Sequence, residues 1–256
     1  KKISFTGSTK VGQILMRQSS NTLKKLSLEL GGNAPFIVFN SANIDDAVNG
    51  AITSKYRNSG QTCVCTNRFY IQDDVFEEFI KKFLESVKKL KIGPGIESQN
   101  DIGPLINQRA IQKVQDFIKD AESKGAHVLL GNDQPAQFFF SPTILTGCNE
   151  NMLIAKEEVF GPVSAFFKFS AEDEVIEKAN NTKYGLASYF YTQDLNQSIR
   201  VSENLEYGMV GVNTGLISTA VAPFGGIKFS GQGREGSKYG VDDYLEIKYI
   251  CTGSVK

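Results

Sequence analysis

Strand-like apolar runs alternate with stretches of helical periodicity along nearly the whole chain, and this alternation constrains its fold most. A chain that switches repeatedly between these periods forms an α/β domain with a largely parallel sheet and flanking helices. Ile3 to Phe5 lead into Thr6-Gly7-Ser8-Thr9, and a helix follows with Val11, Ile14, Leu15 and Met16 on its apolar face. Leu26 to Leu30 form a strand that breaks at Gly31-Gly32, and Pro35 to Phe39 form another. Ile44, Ala47, Val48, Ala51, Ile52 and Tyr56 recur at helical spacing behind a cap at Asn43 or Ser41. Longer amphipathic helices carry Val75 to Leu90 and Ile111 to Ala121. Shorter ones near Val175 to Ala179 and Leu195 to Leu205 alternate with strands at Leu186 to Tyr191 and Met209 to Val212. At the far end, Leu245, Ile247 and Tyr249 alternate with Glu246 and Lys248, the two-residue period of a half-buried strand. That strand either pairs within its own domain or meets another subunit.

Composition removes several functions. The 28 basic and 28 acidic residues cancel, so no charge asymmetry points to nucleic acid or an anionic membrane. No apolar run is long enough to span a bilayer, and no signal peptide is recognisable. Four cysteines make no disulfide framework, which places the expected compartment among the reducing ones, the cytoplasm first. The single histidine, His127, leads into Val128-Leu129-Leu130 and reads as a strand-end residue, leaving no histidine for a hydrolase triad. Cys148 and Cys251 lie far from the other two and lack ligand-pair spacing, so no metal site is expected. The chain opens in mid-element at Lys1-Lys2-Ile3 without a Met, and it is expected to be a fragment.

Three short motifs could carry chemistry. Gly60-Gln61-Thr62-Cys63-Val64-Cys65 sets a thiol on a loop directly after a helix, where access and nearby amides favour a nucleophile of lowered pKa. Leu28-Glu29-Leu30-Gly31-Gly32 places a carboxylate in an apolar strand beside a glycine turn. Buried there, Glu29 would have a raised pKa and could act as a general base; alternation could equally send it to solvent. Thr6-Gly7-Ser8-Thr9 before a helix offers amides to an anion such as a pyrophosphate, although it is no GxGxxG fingerprint.

In this order, and followed by Lys156-Glu157-Glu158-Val159-Phe160-Gly161-Pro162 and Pro223-Phe224-Gly225-Gly226-Ile227-Lys228, the motifs resemble the aldehyde dehydrogenase superfamily over essentially the whole chain. The resemblance implies Cys63 as nucleophile, passing through a thiohemiacetal and a thioester, and Glu29 as the base that activates the hydrolytic water. It implies NAD or NADP as cofactor, with Ser8 at the pyrophosphate, Gly7 allowing close approach, Glu158 at the nicotinamide ribose and Phe160 near the nicotinamide. Tyr56-Arg57-Asn58 before the cysteine loop and Asn213 to Ser218 resemble the succinate semialdehyde branch. There Arg57 and Ser218 would bind the substrate carboxylate, although Arg57 could also be a surface cation. Cys65 is either a small packing residue or the second half of a redox switch with Cys63. The competing substrates are glutarate semialdehyde and other aldehydes, and the competing role is that of a non-catalytic folding or oligomerisation fragment. The implied organisation is residues 1–30 as a remnant of a dinucleotide-binding domain, 31–240 as the catalytic domain, and 241–256 as a strand and tail for a homo-oligomer.

Overall fold

A computed structural model of the chain describes residues 1–254 except Ser98, Asn132, Gln134 and Pro135. The elements run β1 Lys2–Thr6, α1 Thr9–Ser20, β2 Lys25–Glu29, β3 Ala34–Val38, α2 Ile44–Tyr56, β4 Thr66–Gln72, α3 Phe76–Val87, α4 Gln108–Ser123, β5 His127–Leu130 and β6 Thr143–Thr146. They continue with α5 Leu153–Lys156, β7 Val163–Phe169, α6 Glu172–Asn180, β8 Tyr184–Gly185, β9 Ala187–Tyr191, α7 Leu195–Asn204, β10 Met209–Val212, β11 Ile227–Lys228, β12 Gly231–Gln232 and α8 Tyr239–Asp242.

Seven strands form the main sheet in the order β10-β9-β3-β4-β7-β6-β5, and every pairing is parallel except that of β5 with β6. A sheet covered on both faces needs strands that are apolar on both sides, and β3 meets that condition with all five residues buried. Phe36 and Val38 face α2 and α3, where Ala47, Val48, Phe79 and Phe83 pack. Ile37 faces the other way, toward α4, α6 and α7 through Ile118, Val175 and Val201. His127 opens the edge strand β5, as its sequence context suggests.

α2 starts where the Asn43 side chain accepts the amides of Asp45 and Asp46, at 3.1 and 3.2 Å, and those two acids sit at the positive end of the helix. Ser41 is not the cap; its hydroxyl pairs with Thr192 at 2.8 Å. The smaller sheet, β1-β2-β12, takes its third strand from Gly231–Gln232, so residues past 230 return to close over the first thirty.

Two expectations change. The apolar face of α1 is not inward: Val11, Ile14 and Met16 are exposed, and only Gly12 and Ser19 are buried. Tyr244 to Ile250 form no strand. Their alternation needs a neighbouring sheet edge; instead the Tyr244 and Leu245 amides turn back to the carbonyls of Val241 and Asp242, the Lys25 ammonium meets the Leu245 carbonyl and the Glu246 carboxylate, and the Lys2 ammonium lies over the Tyr244 ring. Ile247 and Tyr249 stand out in solvent.

Candidate active site

The nucleophile candidate sits where α2 hands over to β4. The chain leaves α2 through Arg57–Gly60, in which Asn58, Ser59 and Gly60 are all left-handed, at φ of 52°, 58° and 75°. Gly60 is required, because a Cβ there would lie 2.3 Å from the Gly161 carbonyl oxygen. The side chain of Gln61 then ties this bend to the 104–106 segment, accepting from the Ile106 amide at 2.9 Å and donating to the Pro104 carbonyl at 3.2 Å. A turn follows in which the Cys65 amide donates to the Thr62 carbonyl at 3.2 Å, leaving Cys63 and Val64 as its central residues.

Cys63 is half-buried, and its thiol is pushed up to about 11 by burial first, then by the charges of Glu158 and Glu29. This corrects the expectation of a lowered pKa. The loop amides do not outweigh the loss of water and two facing carboxylates. A thiol of this kind needs a proton acceptor before it attacks.

Glu29 ends β2 and is buried at 4% exposure, which resolves the open question of its direction. β1 and β12 flank its strand, and Gly225 comes so close that a Cβ there would lie 3.0 Å from Glu29 Oε1. Its Oε2 has no hydrogen-bond partner among the described residues. Burial, reinforced by Glu235 and opposed by Arg234, lifts its pKa to about 8. That is the environment of a general base working near neutral pH.

Glu158 accepts the Gly32 amide at 3.0 Å, and burial raises its pKa. The same glycine backs the nucleophile turn: a Cβ on Gly32 would fall 2.3 Å from the Cys63 carbonyl oxygen. Glu158 also lines a cleft of about 850 Å³ together with Ser8, Thr9, Lys10, Arg109, Lys113 and Lys183. Ser8 caps α1, accepting the Val11 amide at 3.4 Å, and the Gly7 amide donates to the Glu29 carbonyl at 3.0 Å. Phe160 lines a different hollow, with Asn58, Gln61 and Phe138, in a left-handed conformation at φ 57°.

Arg57 points outward and its guanidinium forms no hydrogen bond or ion pair among the described residues, while its charge reaches the Tyr189 hydroxyl. Ser218 is exposed and likewise makes no hydrogen bond. Cys65 is buried: its sulfur lies 2.8 Å from the Thr62 hydroxyl and 3.8 Å from the Arg57 carbonyl. All four cysteines are free thiols, and no group of three or more potential metal ligands forms among the described residues.

Sequence reasoning missed two buried cations, Lys55 and Arg68, and a third, Lys113, at the solvent-exposed wall of the cleft. Lys55 is fully buried, donates to the Thr66 carbonyl at 2.9 Å, and has its pKa lowered to about 8 by burial. Lys113 stands in the cleft, its pKa lowered by burial against the pull of Glu158 and Glu157. Arg68, fully buried, donates to the carbonyls of Asn33, Lys178 and Ala179 and to the hydroxyls of Tyr70 and Tyr207. Only the helical position of Lys55, on the face that carries Ala51 and Tyr56, could have signalled its burial.

The parallel-rich α/β fold thus brings together a half-buried thiol, a buried carboxyl of raised pKa and a polar cleft. The chain belongs to the aldehyde dehydrogenase family, whose model matches residues 1–250. It is 59% identical over 251 residues to a glutarate-semialdehyde dehydrogenase of Pseudomonas putida, covering 98% of this chain and 52% of that protein. It is 56% identical over 255 residues to an NADP-dependent succinate-semialdehyde dehydrogenase of Escherichia coli, covering 99% and 53%. The crystal structure of an aldehyde dehydrogenase from Brucella melitensis biovar abortus superposes with a TM-score of 0.98 at 58% identity, covering all of this chain and 53% of that one. The chain thus spans about half the length of the curated relatives it matches.

Proposed function

We propose that this chain supplies the nucleophile and the base for oxidation of an ω-carboxy aldehyde, succinate semialdehyde first, with NAD or NADP as hydride acceptor. The observation that carries the reading is that the carboxyl of buried Glu29 lies close enough for its charge to act on the half-buried Cys63 thiol. Cys63 Sγ adds to the aldehyde carbon while its proton leaves to a neighbouring base, giving a thiohemiacetal. A dinucleotide held in the cleft would supply the hydride acceptor needed to oxidise this adduct to a thioester. Glu29, once ionised, takes a proton from the water that cleaves the thioester, releasing the acid and the free thiol.

The donor set of the cleft fits a dinucleotide. The free amides at the start of α1, beside Ser8, and the ammonium groups of Lys10 and Lys113 suit phosphates, while Glu158 suits ribose hydroxyls. Phe160 beside the nucleophile loop suits an aromatic wall for the nicotinamide end. The unpaired guanidinium of Arg57, six residues before Cys63, suits a substrate carboxylate, with Ser218 as a second donor. Glutarate semialdehyde, the substrate in the Pseudomonas putida relative's name, differs by one methylene, worth about 1–3 kcal/mol of discrimination. Cys65 is proposed as the partner of Cys63 in an oxidation-sensitive pair; a peroxide would accept the two electrons and two protons released when the disulfide forms.

The exposed apolar faces of α1 and of 244–250 favour a second reading, in which the chain is an idle folding or homo-oligomerisation piece. One experiment separates the two. The protein is expressed from its complete reading frame and assayed for NAD and NADP reduction with succinate semialdehyde, glutarate semialdehyde and propanal. Preference for the ω-carboxy aldehydes, lost in Cys63→Ala, supports the enzyme; turnover of none of them supports the idle piece. The 256-residue chain alone is expected to bind either dinucleotide weakly by calorimetry.

A further inference from the structure

The turn that presents Cys63 is held from two sides. Within it, the Thr62 hydroxyl meets the Cys65 sulfur and the Cys65 amide closes on the Thr62 carbonyl. Those contacts define the shape of the turn but not its place. Its place is set from outside, where Gly32 lies against the Cys63 carbonyl and the Tyr189 hydroxyl donates to the Val64 carbonyl at 2.8 Å.

Resting on the nucleophile reading of Cys63, we infer that Tyr189 is a positioning residue, fixing through this one hydrogen bond the turn from which Cys63 attacks. Tyr189 is well suited to hold a fixed point. It lies in the middle of β9, in register with Phe36 of β3 on one side and Gly211 of β10 on the other. Its ring is 1% exposed and lies 6.1 Å from that of Phe36. A Cβ on Gly211 would come within 3.0 Å of its Cδ1, so the ring is confined on that side too. The central sheet therefore transmits its rigidity to the Cys63–Val64 end of a loop whose other outside ties, through Ser59 and Gln61, run to the 103–106 segment before the turn.

The hydroxyl also stays a donor. Burial, with the charges of Cys65 and Cys63, raises its pKa well beyond the ordinary tyrosine range, and only Arg57 opposes them. Without it the Val64 carbonyl would be buried with no partner, and the turn would move to find one. A shift of that kind displaces the sulfur from the line of attack while leaving the substrate pocket in place. The loss therefore falls on kcat and spares KM.

The test uses the protein expressed from its complete reading frame, with active sites counted as the Cys63 alkylation by iodoacetamide that saturating succinate semialdehyde prevents, so that unfolded molecules, which bind no substrate, drop out. Tyr189→Phe is expected to lower kcat per titrated site by about tenfold or more while KM for succinate semialdehyde stays within about threefold. Placing 4-aminophenylalanine at 189, which restores a donor at that point, is expected to recover most of the loss. Phe83→Leu, a change in the same aromatic core that leaves the Tyr189 hydroxyl in place, is expected to lower stability and leave kcat per site intact. A Tyr189→Phe enzyme within about twofold of the parent, a loss that the restored donor does not repair, or an equal loss in Phe83→Leu would each overturn the inference. Full activity in Cys63→Ala would instead sink the nucleophile reading itself, and this inference with it.

Discussion

Gly32 gives the sharpest steric prediction. Its amide holds Glu158, and its α-carbon faces the Cys63 carbonyl so closely that an added methyl would lie 2.3 Å from that oxygen. Side-chain β-carbons essentially never come nearer than 3.0 Å to another heavy atom, so Gly32→Ala is short by 0.7 Å. The obstructing atom belongs to the backbone of a turn tied to Tyr189 and Thr62, and it has no rotamer with which to move aside. No positive φ is involved at Gly32, so the effect is steric alone. Displacement of a reacting group by about 1 Å costs on the order of 100-fold in rate. A 0.7 Å shift is therefore expected to lower kcat/KM for succinate semialdehyde by roughly 30-fold. Overpacking should also cost about 1–3 kcal/mol of stability. Gly103→Ala serves as the comparison, since its methyl would meet nothing nearer than the Ser59 hydroxyl at 3.8 Å. Steady-state rates per titrated thiol and thermal midpoints check both. A Gly32→Ala enzyme as active as Gly103→Ala would refute the argument that this glycine sets the nucleophile's position.

Three further outcomes follow from the same geometry. The Glu29 pKa of about 8, above its ordinary 4.5, makes the ionised base grow in as pH rises through 8, so thioester hydrolysis should quicken there. Between those two values the folded protein holds a proton that the unfolded chain releases, so this group's contribution to stability falls as pH rises across that window. Glu29→Gln should remove both effects and leave a pre-steady-state burst without turnover, read by stopped flow and by melts across pH. Arg57→Ala should raise KM for succinate semialdehyde by roughly 10- to 100-fold, the worth of a charge-assisted contact, and leave propanal kinetics and the melting point unchanged. Arg68→Met would strand the Asn33 and Lys178 carbonyls, at about 1 kcal/mol or more each, while Ala179 keeps the Tyr207 hydroxyl, and should lower the melting point by roughly 4–8 °C in calorimetry.

Local sequence showed many of the elements of this protein and its candidate reactive groups, although not the central strands β4 and β7. Residues whose fate depends only on their neighbours in the chain were legible. The cap of α2 narrows to Asn43 or Ser41 from spacing, which also shows the inward stripes of α3 and α4 and the fully apolar β3. Cys63 and Glu29 stood out because a thiol on a glycine-rich loop and an acid in an apolar strand are locally unusual. What the sequence left open depended on which distant segment lies opposite. Glu29 is buried because Gly225 and Gly231, some two hundred residues away, close over it, and that burial sets its pKa. The Cys63 thiol is pushed up, against its local context, by burial first and then by the charges of Glu158 and Glu29 from two distant segments. Tyr189 and Lys55 acquire their partners only when β9 and β4 take their places in the sheet. The stripes of α1 and 244–250 show the converse: an apolar pattern fixes which face seeks burial, but only a neighbouring surface can bury it.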